Sequence, residues 1–147
     1  MPFRLLVCCL SLLFLAACGP VEDTRPGRPV AQRQQAFREI LHAFEPMGLQ
    51  LRENRYQPDA FLQYAQSLDA LKEVPWPHFG PESNYPPSRS ANSIWESPAG
   101  FAQERARFVE AASRLAAAAA SRREADVRAA HDALQESCRA CHKRFRR

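Results

Sequence analysis

After residue 30, apolar positions recur at three- and four-residue intervals along most of the chain, and no stretch alternates as a half-buried strand would. The pattern resolves into four amphipathic helical segments. The first runs from about residue 30 to 44 or a turn beyond, with Val30, Arg33, Phe37, Ile40 and Phe44 on one seam, before Pro46 and Gly48 disturb it. The second covers about 59–74, with Pro58 near its first turn and Pro75 at its end; Phe61, Tyr64, Ala65, Leu68 and Leu71 face inward. The third takes Ser97 as N-cap and Pro98 as its first residue, and carries Phe101, Phe108, Ala112, Leu115 and Ala119 on one stripe. Its alanine run at 116–120 is strong helix former, not disorder. The fourth opens on Ser121-Arg122-Arg123-Glu124, spaced as a capping box, and continues through Val127, His131, Leu134, Cys138, Cys141 and Phe145.

Short connections between helices one and two and between three and four predict an all-α, antiparallel up-down four-helix bundle whose core can house a cofactor. The stretch 75–97 stands apart, because a connection that long is usually functional or disordered. Trp76, Phe79, Tyr85, Ile94 and Trp95 give it apolar anchors, so it is expected to pack along the bundle.

The amino terminus has a different composition. An apolar run over 5–17 follows Arg4, the length of a signal-peptide core and too short for a comfortable membrane span. It ends in Leu15-Ala16-Ala17-Cys18, which resembles the bacterial lipobox and implies that Cys18 becomes the lipidated first residue. Gly19 follows where an Asp would resemble an inner-membrane retention signal, so the expected destination is the outer membrane; the alternative is an ordinary cleaved signal and a soluble periplasmic protein. The expected organisation is a signal over 1–17, a flexible Pro- and Gly-containing tether over 18–29, and a bundle over 30–147.

The formal charge is +4, and loss of Arg4 with the signal makes the mature chain one charge less basic. Lys143, Arg144, Arg146 and Arg147 concentrate the excess at a helix end, where cations favour the negative pole of the dipole. They read as a solvated helix terminus or as a docking patch for an acidic partner or membrane surface. No nucleic-acid partner is expected of an exported domain.

The chemistry is concentrated in Cys138-Arg139-Ala140-Cys141-His142, a C-x-x-C-H motif that reads as a covalent c-type haem attachment site. On a helix the two cysteines lie about 60° apart in azimuth, so both sulfurs can add to the vinyl groups of one porphyrin while the adjacent imidazole reaches the iron. A thioredoxin-like dithiol would follow a strand, and none is predicted. A zinc site would need a further ligand, for which only His42, His78 and His131 are at hand. Cys8 and Cys9 leave with the signal and Cys18 takes lipid, so no cysteine pair remains for a structural disulfide.

With these pieces in order, the chain resembles the cytochrome c′ family over about 31–147. The resemblance rests on Arg33-Gln34 with Ala36, on Pro75-Trp76 with Phe79-Gly80-Pro81, on Ile94-Trp95, and on a haem motif at the end of helix four followed by Phe145-Arg146. It implies one haem c per chain, a homodimer through helices one and two, and a five-coordinate, high-spin iron that binds nitric oxide and carbon monoxide or transfers electrons. By that resemblance Cys138 and Cys141 hold the haem, His142 is the axial ligand, Arg146 lies beside the proximal face, Arg33 and Gln34 approach the propionates, and Phe37 occupies the distal position. The residues themselves reach part of this. Arg33 sits on an otherwise apolar seam, where a lone charge is costly, so it calls for a buried anion such as a propionate, unless it snorkels off the helix end.

Whether a protein side chain fills the sixth site separates a gas binder from a simple electron carrier. Met47 lies about 15 Å along the helix from Phe37, and His42 about 140° around it. His131 shares a helix with His142 at roughly 16 Å and reads as a satisfied core-edge histidine. His78 stays open as a candidate, and Lys72 behind it. A distal Phe donates no hydrogen bond, which disfavours dioxygen and peroxide chemistry, and the absence of an acid–base pair argues against an enzyme. The expectations are thus a gas-binding haem protein or, as the alternative, a six-coordinate electron-transfer cytochrome.

Overall fold

The structure, a computed structural model, describes residues 21–147. Its helices are α1 (Pro29–Arg52), α2 (Pro58–Leu71), the short α3 (Ser93–Glu96), α4 (Pro98–Ala120) and α5 (Glu124–Phe145). The predicted signal, the lipobox cysteine Cys18 and the first residues of the tether lie outside the described residues. Each of α1, α2 and α4 has a proline in its first turn, where the missing N–H costs nothing and the fixed φ is already helical.

The four long helices form the antiparallel up-down bundle that the periodicity predicts. α1 packs on α2, α2 on α4 and α4 on α5, whereas α5 meets α1 across a much sparser seam. Met47, Phe61, Leu68, Leu115, Val127 and Leu134 are fully buried and come from all four helices, so one core runs through the bundle.

Three local expectations are corrected. α1 does not stop near residue 46 but continues through Pro46 to Arg52. An internal proline costs roughly 3 kcal/mol. Beyond it Met47 and Leu51 bury completely or nearly so, each contributing about 1.5–3 kcal/mol, and that burial carries the helix past the break. The capping box does not form. α5 begins at Glu124 with Arg123 as an extended N-cap lacking a side-chain bond, the Ser121 hydroxyl bonds the Ala118 carbonyl, and Glu124 pairs forward with Arg128. Ser97 is indeed the N-cap of α4, yet its side chain makes no capping bond.

The third correction concerns the segment before α1, expected to be flexible. Asp23 is buried and accepts hydrogen bonds from the backbone N–H of Arg25 and Ala31 and from the Tyr85 hydroxyl, the last at 2.8 Å. Burial pushes its carboxyl up, but the hydrogen bonds together outweigh that and leave its pKa below the ordinary value.

The long connection is ordered and carries two 3-10 turns, Trp76–His78 and Pro81–Ser83, before α3. Trp76 is buried and donates to the Lys72 carbonyl at 2.6 Å; Trp95 donates to the Gly80 carbonyl at 3.1 Å. The connection then grips the end of α5. Ser90 and Arg146 form an antiparallel bridge, closed by Ala91 N–H to the Phe145 carbonyl at 2.9 Å and Arg147 N–H to the Arg89 carbonyl at 2.8 Å. The Ser93 hydroxyl adds a bond to the Arg144 carbonyl at 2.7 Å.

Candidate functional site

The last turns of α5 place Cys138 and Cys141 half-buried, both as free thiols. Cys138 packs against the hydrophobic core. Burial raises the pKa of each; at Cys141 the charges of Glu104 and Cys138 add to burial, Arg144 offsets part, and the thiol is pushed up to about 11. The pair therefore stays protonated near neutral pH, unlike an activated redox dithiol. Among the described residues no group of three or more His, Cys, Asp and Glu is placed to hold a metal ion, so the zinc reading finds no companion ligands.

His142 follows on the solvent side of the helix. Desolvation and then the Arg146 charge lower its pKa, which favours the neutral imidazole, the form that ligates metals. Arg146 is held through its backbone, which donates to the His142 carbonyl at 3.1 Å as the cap of α5 and pairs with Ser90 in the bridge, while its side chain is exposed.

An aromatic wall leads from α1 to this helix end. Phe37 meets Trp76 edge-on at 5.7 Å and Phe79 at 6.3 Å between ring centroids. Trp76 continues to Phe101 and Phe108, Phe79 stacks obliquely on Phe101 at 5.0 Å, and Phe101 meets Phe145 at 5.4 Å, four residues past Cys141. Edge-to-face contacts of this kind fix ring orientation beyond what burial alone would do.

Arg33 and Gln34 hold the long connection. The Arg33 guanidinium is buried, lies 4.8 Å over the Phe79 ring, and donates to the His78 carbonyl, the Ser83 hydroxyl, the Ser83 carbonyl and the Ser88 hydroxyl at 2.6–2.9 Å. Neutral oxygens thus answer the charge that the sequence suggested would need an anion, and the side chain neither snorkels nor stands unpaired. Gln34 donates to the Pro87 carbonyl at 3.1 Å.

The candidate sixth ligands are mostly engaged elsewhere. Met47 is fully buried in the core, His42 is exposed, and the Lys72 ammonium stands 2.7 Å from Asp69. His131 is buried and stacked on Phe44; its Nε2 has no partner, so it is less satisfied than its position suggested. His78 is half-buried in its 3-10 turn, where its backbone carbonyl receives Arg33.

Sequence reasoning missed Glu104, which falls on the apolar stripe of α4 between Phe101 and Phe108 and is 2 % exposed. Its place in the three-four periodicity was the available signal, as for Arg33.

These residues fit a covalently held haem. Two protonated thiols one turn apart, a neutral imidazole beside them and an aromatic wall ending at the same helix terminus supply attachment, ligation and an apolar lining. The sparse α1–α5 seam, between the helix that carries Phe37 and the helix that carries the motif, is where the bundle closes least tightly.

Comparison with known proteins agrees. The family model described as Cytochrome C′ matches residues 28–146. The fold is similar to cytochrome c′ from Rubrivivax gelatinosus, at 23% identity and a TM-score of 0.80, covering 86% of this chain and 100% of that one. It is equally similar to cytochrome c prime from Shewanella frigidimarina, at 26% identity and a TM-score of 0.80, covering 84% and 98%. A nitric oxide complex of a mutant cytochrome c prime from Alcaligenes xylosoxidans matches at 28% identity and a TM-score of 0.78, covering 86% and 99%, and a carbon monoxide-bound variant from the same organism matches equally well. No curated protein sequence matches the chain. With the family model spanning the whole bundle, the chain belongs to the cytochrome c′ family and carries one covalently bound haem c.

Proposed function

We propose that this protein binds nitric oxide or carbon monoxide at a haem iron ligated on its other side by His142 alone, and that electron transfer is its second capacity. Haem supplies an iron that takes up small diatomic gases and exchanges single electrons. Cys138 and Cys141 anchor it, His142 ligates as the neutral imidazole, and Arg146 lies beside the proximal face. Phe37, backed by Trp76 and Phe79, guards the other face and offers no hydrogen-bond donor. Arg33 and Gln34 contribute by holding the connection from which Trp76 and Phe79 project, and approach to the propionates belongs to the same reading.

The observation that carries this reading is that Met47, Lys72 and His131 are each engaged elsewhere, while Phe37 is surrounded by aromatic rings. The gas-bound forms of the Alcaligenes xylosoxidans relatives support it. An optical spectrum of the purified holoprotein tests it: a broad high-spin ferrous spectrum that changes on addition of nitric oxide is expected. Split, low-spin visible bands in the reduced protein would instead establish the six-coordinate electron carrier, with His78 the first residue to replace.

The same reading makes the protein a binder and carrier and not an enzyme, which is supported by a distal Phe that offers neither acid nor base. The Leu15-Ala16-Ala17-Cys18 sequence supports a periplasmic, lipid-anchored location, the outer membrane before the inner, with a soluble periplasmic form as the alternative. Fractionation decides, because Cys18→Ser should abolish membrane retention of the mature form. Exposed Leu41 and Leu49 on α1 support a homodimer through α1 and α2, and sedimentation of the holoprotein tests it.

A further inference from the structure

Glu104 is a buried acid that the reading above does not use. It lies on the inner face of α4, 2 % exposed. Its Oε1 accepts from Arg107 at 3.1 Å and from Arg144 at 3.2 Å, while its Oε2 is buried without any partner. Arg144 reaches it from α5 by lying over Gly100, where a Cβ would stand 2.8 Å from the guanidinium Nη2. Residues three apart share a helix face, so Arg144 and Cys141 are neighbours on α5. The carboxylate that takes Arg144 therefore faces the turn that bears the second attachment cysteine.

The charges in this cluster are unequally screened. The Arg107 and Arg144 side chains are 56% and 47% exposed, so water damps their fields, whereas the carboxylate is enclosed. At Cys141 the charge of Glu104 outweighs the opposing charge of Arg144, so the pair acts on the attachment turn as a net negative charge.

We propose that the buried Glu104 carboxylate biases the haem attached at Cys141 toward its ferric form, with Arg144 as the opposing counter-charge. The ferric centre is favoured because it carries one more positive charge than the ferrous; one electron is exchanged and no atom moves. The inference rests on the covalent haem c alone and holds whichever ligand occupies the sixth site.

Spectroelectrochemical titration of the holoprotein tests it. Glu104→Gln keeps the shape and removes the charge, and should raise the ferrous-to-ferric ratio at fixed potential on the order of tenfold, which for a one-electron couple is about 59 mV upward. Glu104→Asp, which keeps the charge, should stay near the wild type, and Arg144→Gln should move the potential downward. An unchanged potential in Glu104→Gln, or shifts of the same sign in Glu104→Gln and Arg144→Gln, overturns the proposal. Should Glu104→Gln fail to give holoprotein, Arg144→Gln decides alone: a downward shift supports the proposal, and an unchanged or upward one overturns it. The visible spectrum of each variant reports axial ligation separately, so failure of the five-coordinate reading is visible there without touching the comparison of potentials.

Discussion

His131 lies face to face with Phe44, ring centroids 4.5 Å apart and planes 2° from parallel, joining α5 to α1 across the sparsest seam of the bundle. The imidazole is 5 % exposed; its Nδ1 stands 3.5 Å from Asp132 and its Nε2 has no partner. Burial lowers its pKa from the free value of 6.5, Asp132 opposes the shift and Arg52 adds to it. The folded state therefore binds this proton less readily than the unfolded state does. The stability contributed by the neutral ring is fully present above the unfolded value and is lost as pH falls through the lower folded one. The melting temperature should drop as pH falls below the free value of 6.5, and His131→Phe, which keeps the stack and removes the titrating and orphaned nitrogens, should flatten that dependence. Parallel pH profiles for wild type and variant would remove His131 from the account.

The same ring explains why a glycine is tolerated inside α1. A Cβ on Gly48 would stand 3.0 Å from Arg52 Nη1 and 3.2 Å from His131 Nε2. Arg52 can swing away, but the stacked imidazole cannot move without leaving Phe44. Alanine in place of glycine ordinarily favours a helix by up to about 1 kcal/mol, whereas overpacking costs roughly 1–3 kcal/mol. Gly48→Ala is thus expected to destabilise by about 1 kcal/mol in denaturant unfolding. In a His131→Ala background the same change should turn neutral or stabilising, a coupling that a double-mutant cycle measures directly.

Arg33 supports a larger effect. Removing its guanidinium strips donors from a buried carbonyl, a partly buried one and two hydroxyls at once, and leaving such acceptors unpaired costs about 1–3 kcal/mol each before water relieves some of them. Arg33→Met should lower unfolding free energy by roughly 2–4 kcal/mol, and Arg33→Lys should restore little, because an ammonium cannot span the fork. Amide exchange should quicken in residues 78–90 before the bundle opens. Protection unchanged in that segment would mean that the connection is held by its tryptophans instead.

The bundle was legible because its periodicity is clean: the inward sets of α2 and α4 match the buried residues nearly position for position, with Tyr64, Leu71 and Phe101 partly covered. The attachment motif was legible because covalent chemistry demands fixed spacing. What local signals failed to give depends on distant partners. The proline at 46 reads as a break until Met47 and Leu51 are seen to bury, and Ser121 reads as a cap until Arg122 adopts a left-handed turn, φ 59°, that delays the helix. The partners of Arg33, some 45–55 residues away, and the pairing of Asp23 with Tyr85, 62 residues away, lie in a connection without periodicity, so nothing in the pattern could announce them.

Phe37 offers the most direct test of how the far side of the iron is guarded. Its ring is held by edge contacts to Trp76 and Phe79, and those residues are in turn fixed by the Lys72 carbonyl and by Arg33. A ring locked from behind opposes an incoming ligand mainly by occupying space, so truncation should lower a barrier without creating a new attraction. Phe37→Ala should therefore speed nitric oxide binding in stopped-flow mixing by at least tenfold, equivalent to about 1.4 kcal/mol of barrier, with dissociation changed less. The variant should also lose roughly 3 kcal/mol of stability or less, since the site is only partly buried. If association is unaltered while stability falls, Phe37 is core alone and entry is controlled elsewhere. Trp76→Leu, which loosens the backing and leaves the Phe37 side chain in place, should give an intermediate acceleration if the aromatic wall acts as one unit.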